Sequence, residues 1–460
     1  EPDKRRKLID ELLDNPAYGE HFATIWRRLL VPRELNLTGK GGVQPEGFRP
    51  WLAEQFNDNR GWNAIVTDLL TAEGTPATNP ATAFLLAQGE NNQPRPTQIT
   101  GAAAALFWGV NLRCAECHDH PFTHWKQRDF WATAAFFAKV SSGGSGGKGG
   151  PSSLTELLLG NNSAPGKKGE PGAPTLRGTG IVIPAGSGKA AGQMVKARFL
   201  GGAEPALDEK EPFRPAFAQW ATAADNPYFA RAAVNRLWAH FFGRGFVNPL
   251  DNIDATNPPS HPELLDRLAQ EFASSGFDLK HLARCIATSK TYQRTSRPVP
   301  GNEADTVAFS HLAVKVLTPE VFYDSMTVIG KDIGGSGKGS GNGGKGSGQK
   351  EEGRDEFLRA FSSDEAVPAT EYIQGIPQLL RLLNASSVNR GAAVVDKLCS
   401  SGVSREEAVT TLYLTVLSRR PTPAEVELMA GYLAKRKDNR EGYRGVMWIL
   451  LNSSEFALNR

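Results

Sequence analysis

Cysteine and methionine are scarce, with four of each in 460 residues. Four cysteines cannot staple a chain of this size, which excludes a disulfide scaffold. No apolar run approaches the ~20 residues needed to cross a bilayer, so no membrane span is expected. Charge of one sign is lacking too: Lys and Arg exceed Asp and Glu by 52 to 49, a net charge of +3. The basic residues are scattered, which leaves no stripe for nucleic acid. Charged residues make up 22% of the chain and apolar ones 40%, a balance that fits a globular protein and neither a disordered chain nor a coiled coil. Several familiar site motifs are missing. No Gly-x-Ser-x-Gly elbow supplies a hydrolase nucleophile. Gly186-Ser187-Gly188-Lys189 imitates the end of a phosphate loop, but Ile183 stands where the first Gly belongs and Ala190 follows the Lys. Asp251-Asn252-Ile253-Asp254 lacks the Gly and the terminal Glu of a calcium loop.

Glycine and proline, by contrast, are plentiful. Residues 141–150 and 334–348 consist almost wholly of Gly, Ser and Lys and read as flexible surface loops, and 160–178 is rich in Gly, Pro and Lys. The expected organisation is mainly α, with helical domains at 1–140 and 179–460 joined by a Gly/Pro-rich linker or insertion at 141–178. A Gly-rich insertion at 333–350 interrupts the second domain. A minor strand pair is expected from Ile181-Val182-Ile183 and the stretch 194–200. Helical spacing makes core faces of Leu8, Ile9, Leu12 and Leu13, and of Phe22, Ile25, Trp26, Leu29 and Leu30. A helix is expected over 98–112. Asn226-Pro227 opens another helix, and capping boxes are expected at Ser260 with Glu263, Ser404 with Glu407, and Thr422 with Glu425. Gly243 and Gly276 are natural helix stops.

The chemistry concentrates in Cys114-Ala115-Glu116-Cys117-His118. Cys-x-x-Cys-His is the attachment signature of c-type haem, in which two thiols meet the vinyl groups and the following His ligates the iron. Cys114 and Cys117 would bind the porphyrin and His118 would be the proximal ligand. The sixth ligand decides the chemistry, since a closed iron transfers electrons and an open one admits small molecules. His124, His21, His240, Met194 and Met326 are candidates, each of which also reads as an ordinary helix or core residue. Two other chemistries share the segment. His118, Asp119, His120 and His124 crowd it, so the cysteines and histidines could hold zinc as a structural clip, and a redox Cys-x-x-Cys is the third option. Phe122, Trp125, Phe130, Trp131, Phe136 and Phe137 follow, as core or as the wall of a haem pocket. Cys285 and Cys399 pair in an oxidising compartment or remain thiols.

The stretch LRCAECHDHPFTHWKQRDFWATAAFFAKV, residues 112–140, resembles the centre of the planctomycete cytochrome-like domain of unknown function. NPYFARAAVNRLWAHFFGRGFVNPLDNIDATNPPSHPELLDRLA, within 226–295, resembles the companion planctomycete-specific domain that follows it in large bacterial proteins. The likeness continues through 372–378 to 452–456. It implies an exported protein, periplasmic or at the cell surface, whose Cys114, Cys117 and His118 match the family's haem-type motif. It also implies a redox partner protein or an extracellular polymer as the binding partner. The chain departs from the family at Glu20-His21-Phe22, where Arg is expected after the Glu, and Asn235-Arg236-Leu237-Trp238 looks like a family hallmark. The expected function is a monohaem c-type protein in extracytoplasmic electron transfer. The alternatives are a haem oxidoreductase acting on a polysaccharide or peroxide, and a cell-surface scaffold with a structural Cys/His metal site.

Overall fold

The computed structural model describes residues 3–31, 47–90, 93–144, 152–156, 174–331 and 393–459. The Gly-rich insertion at 333–350 and the segment 372–378 therefore lie outside the described residues. Among the described residues the fold is mainly α, with only small antiparallel strand groups. The chain divides into two compact units, Glu1–Gln293 and Arg294–Arg460.

The first unit contains α1 (Lys4–Asp14), α2 (Ala17–Leu30), α3 (Phe48–Asn57), α4 (Trp62–Thr71), α5 (Thr82–Leu86), α6 (Pro96–Phe107), α7 (Gln127–Ala134), α8 (Arg214–Ala221), α9 (Phe229–Phe242), α10 (Pro262–Ser274) and α11 (Leu279–Thr288). Its core is aromatic. Trp26 of α2 packs on Trp62 of α4 with ring centres 4.2 Å apart, and Phe107 of α6 meets both Trp62 and Phe84. In α2 the expected stripe is buried at Phe22, Trp26 and Leu30. In α1 only Leu13 is buried, while Leu8 and Leu12 stand 50% and 57% exposed. Four basic residues in its first turn give α1 one narrow contact face rather than a full stripe.

The expected helix at 98–112 starts earlier and stops earlier. Pro96 occupies its first turn, where a missing N–H costs nothing. The helix ends at Phe107 because Gly109 takes φ +63°, in a space that Ile253 and Leu250 would deny to a side chain.

The minor sheet forms from Gly180–Val182 and Met194–Lys196, with Thr175–Arg177 as an added third strand. The glycine-rich stretch begins as a strand rather than as a flexible loop: Val140–Gly144 pairs antiparallel with Ser152–Glu156. Leu154 explains this, since it is fully buried and its backbone bridges Gly74. Residues before and after that stretch share one core. Trp108 donates from Nε1 to the carbonyl of Ala221, and Phe136 and Phe137 pack on Phe217.

The second unit is built from helices Pro319–Lys331, Ala393–Ser401, Arg405–Leu417, Pro423–Ala434, Asn439–Leu451 and Ser454–Ala457 around Val395, Leu412, Val446 and Leu450. Two of the expected capping boxes are present, Ser404 with Glu407 and Thr422 with Glu425. The third is not. His261 holds the N-cap position of α10 and makes no side-chain cap, while Ser260 meets the His261 ring through its hydroxyl. Pro262 takes the first helical position, so Ser260 stands one residue before the cap and Glu263 is the second helical residue, out of register for a box.

Candidate functional site around Cys114, Cys117 and His118

After α6 the chain makes a short 3-10 turn over Arg113–Glu116, which carries Cys114 and presents Cys117 at its end. In such a turn residues three apart eclipse one another, so the two cysteines share a face. Both are exposed, and all four cysteines of the chain are free. The turn is fixed from beneath. The carbonyl of Glu116 accepts from Trp131 Nε1 and from Gln127 Nε2, each at 3.0 Å. Gln127 Nε2 also donates to the carbonyl of Ser187, which ties the turn to the loop at 186–189. That loop presses its Gly188, at φ +66°, against the carbonyl of Cys117, where a Cβ could not be placed. Burial pushes the Glu116 carboxyl up, against the opposing influence of Thr97 and Arg113.

The three histidines of the segment differ in which ring nitrogen is available. His118 Nδ1 lies 2.7 Å from the carbonyl oxygen of Asp119. A carbonyl only accepts, so Nδ1 carries a proton, and in the neutral ring Nε2 is then the nitrogen with the lone pair. His120 is the reverse: its Nδ1 receives the amides of Phe122 and Thr123 at 3.2 and 3.1 Å. Its proton in the neutral ring is therefore on Nε2, which makes that nitrogen a donor rather than a metal ligand. His124 Nδ1 lies 3.1 Å from Oδ2 of Asp254, whose side chain is only 3% exposed. Burial opposes the charge on Asp254, but the Thr256 amide and hydroxyl and His124 hold its carboxyl below the usual range. The acceptor is thus a carboxylate and His124 Nδ1 is the donor. Asp119 accepts the Gln127 amide at 3.0 Å, the leading cause of its lowered pKa, with Lys126 alongside.

Of the remaining ligand candidates, His21, His240 and Met194 belong to the first unit and Met326 to the second. His21 and His240 face each other through Nε2. Met194 is exposed on its strand, and Met326 packs against the core of the second unit. Among the described residues no group of three or more His, Cys, Asp and Glu side chains is disposed to hold a metal ion. The aromatic run is core rather than an open wall: Trp125, Phe130, Trp131, Phe136 and Phe137 are buried, and only Phe122 is exposed, at 79%. Two exposed thiols and an imidazole are the donor set that a c-type haem would need, and the aromatic side chains that follow them, Phe122 aside, are buried.

Residues 1–142 match the family model described as PSCyt2, a protein of unknown function (DUF1549), and residues 213–356 match PSD1, a protein of unknown function (DUF1553). Each of the two matches covers about a third of the chain, and they follow one another in this order. No curated protein and no solved structure matches it. No helix among the described residues is long and apolar enough to cross a membrane.

Two features of the pair were not foreseen from sequence. Gln127 and Gly188 support the Cys-x-x-Cys turn through backbone carbonyls, and a residue that bonds only to backbone leaves no pattern. The hallmark Asn235 is fully buried and both donates to and accepts from the backbone of Val247, so it braces the chain beyond α9.

Proposed function

We propose that Cys114, Cys117 and His118 carry a covalently bound haem c on the surface of the first unit, and that the protein exchanges electrons with a redox partner outside the cytoplasm. The observation that supports this reading best is the hydrogen bond from His118 Nδ1 to the Asp119 carbonyl. A metal-bound imidazole commonly donates its second nitrogen to such an acceptor, which fixes the ring and raises the basicity of Nε2. The haem would supply a one-electron couple, and attachment at an exposed turn leaves it open to a docking partner. Asp119, held by Gln127 and Lys126, keeps the His118 acceptor in place.

A second reading, a haem oxidoreductase acting on a polysaccharide or peroxide, draws on His124. Its ring is 64% exposed and backed by the buried Asp254 carboxylate, an arrangement suited to moving a proton.

The test is expression with an export and haem-ligation pathway. Haem stain should persist on a denaturing gel and be weakened or lost in Cys114→Ala and Cys117→Ala, while His118→Ala should keep the stain and change the visible spectrum. Colourless protein from a competent host, or covalent haem in the double cysteine variant, would overturn the proposal. Rapid carbon monoxide binding to the reduced protein would favour the oxidoreductase over electron transfer.

A further inference from the structure

His21 lies on α2 and His240 on α9, 219 positions apart, and their Nε2 atoms are 3.4 Å from each other. That is longer than the ~2.7–3.2 Å of a good N–H hydrogen bond. One tautomer closes it as a long hydrogen bond, and the same separation also fits another geometry. Two imidazole nitrogens each about 2.05 Å from one zinc ion and 3.4 Å apart subtend about 112° at the metal, within a few degrees of tetrahedral. Rings aimed at that common point have centres about 5.3 Å apart, whereas rings aimed at each other need about 5.7 Å. The observed separation is 5.3 Å, with the ring planes inclined by 54°. Phe22 packs 5.4 Å from both rings and Phe241 lies 5.5 Å from His240, so the pair is walled by aromatic groups.

We propose that His21 and His240 form a two-histidine site for a divalent late transition metal such as zinc, separate from the Cys-x-x-Cys-His turn. The imidazoles provide half of a tetrahedral shell, and solvent or a further donor completes it. The ion would join a helix of the PSCyt2 segment to a helix of the PSD1 segment.

The full chain is titrated with zinc and, separately, with cobalt(II), as wild type and as Cys114→Ser/Cys117→Ser. One zinc should bind the double cysteine variant, raise its unfolding temperature, and show two imidazoles and no sulfur by X-ray absorption. Cobalt should give the visible bands of a tetrahedral ion. His21→Gln and His240→Gln should each weaken binding at least tenfold. Zinc binding that disappears with the cysteines, or that survives both Gln variants, would overturn the site. If a Gln variant fails to fold, the X-ray absorption of the parent decides alone, and sulfur ligands or fewer than two imidazoles would reject the proposal.

Discussion

Arg214 and Glu156 form an ion pair in which both side chains are 1% exposed, Nε to Oε2 at 2.7 Å. Nothing on either group is left unpaired by this contact. The second carboxylate oxygen accepts the amides of Phe213 and Arg214, and the guanidinium also donates to the carbonyls of Leu70 and Ala72 and to Glu73. The pair thus fastens the strand Ser152–Glu156 to the end of α4 and the start of α8. Removing one partner strands a buried charge, so Arg214→Met should cost about 3–5 kcal/mol. Urea denaturation measures it, and Arg214→Met with Glu156→Leu should recover part of the loss.

Capping separates two kinds of hydroxyl side chain. Ser404→Ala and Thr422→Ala each remove a side-chain acceptor from a helix amide, Glu407 and Glu425 respectively, and should destabilise the second unit by about 1 kcal/mol. Ser260→Ala removes no cap and should change thermal stability by less than about 0.5 kcal/mol.

Acid should loosen the second unit through Glu425. Arg419 bonds to both of its oxygens and holds its pKa down to about 2, from an ordinary 4.5. A carboxylate depressed on folding stabilises the native state above its unfolded pKa, and that contribution is lost as pH falls through the folded value. Stability should therefore decline between pH 4.5 and about 2, and Glu425→Gln should flatten that decline. Thermal melts across the interval decide, with an unchanged slope counting against the assignment.

His120 acts as a backbone acceptor, and an amide oxygen can replace its Nδ1. Substitution by Asn should preserve the turn at 120–123, since Asn commonly accepts amides two and three residues on. His120→Ala should lose about 1 kcal/mol, as when an N-cap is removed. Equal stability of the two variants would show that the ring does something else.

Gly188→Ala should disturb the cysteine turn without touching a cysteine. The new methyl meets the Cys117 carbonyl and the backbone takes a left-handed φ, both unfavourable. The expected results are a lower melting temperature and less haem attached per chain in the ligation-competent host. Gly186→Ala is a control for strain alone, since its φ is also positive but no atom lies within 4 Å of the added carbon.

The helical class was legible because Phe22, Trp26 and Leu30, like Ser404 and Glu407, obey local rules that a sequence states directly. The site was legible only in its named residues. Cys114, Cys117 and His118 announce themselves by spacing, but the tautomers of His118, His120 and His124 depend on Asp119, two backbone amides and Asp254, which no spacing reveals. Ser260 misled for a related reason: the box pattern is present, yet Pro262 and the His261 ring change what its hydroxyl meets. Composition marked 141–144 as loose chain, whereas a partner strand anchored by Leu154 makes it a ladder.

The bond from Trp108 to Ala221 reaches beyond stability. It joins the segment matched by the first family model to the one matched by the second, and Phe136, Phe137 and Phe217 deepen the same seam. A fragment of residues 1–142 alone would leave its side of that interior uncovered, with a tryptophan N–H and two phenylalanines turned toward water. The two matched segments close one interior between them, so the boundary drawn by sequence similarity is not a boundary of folding.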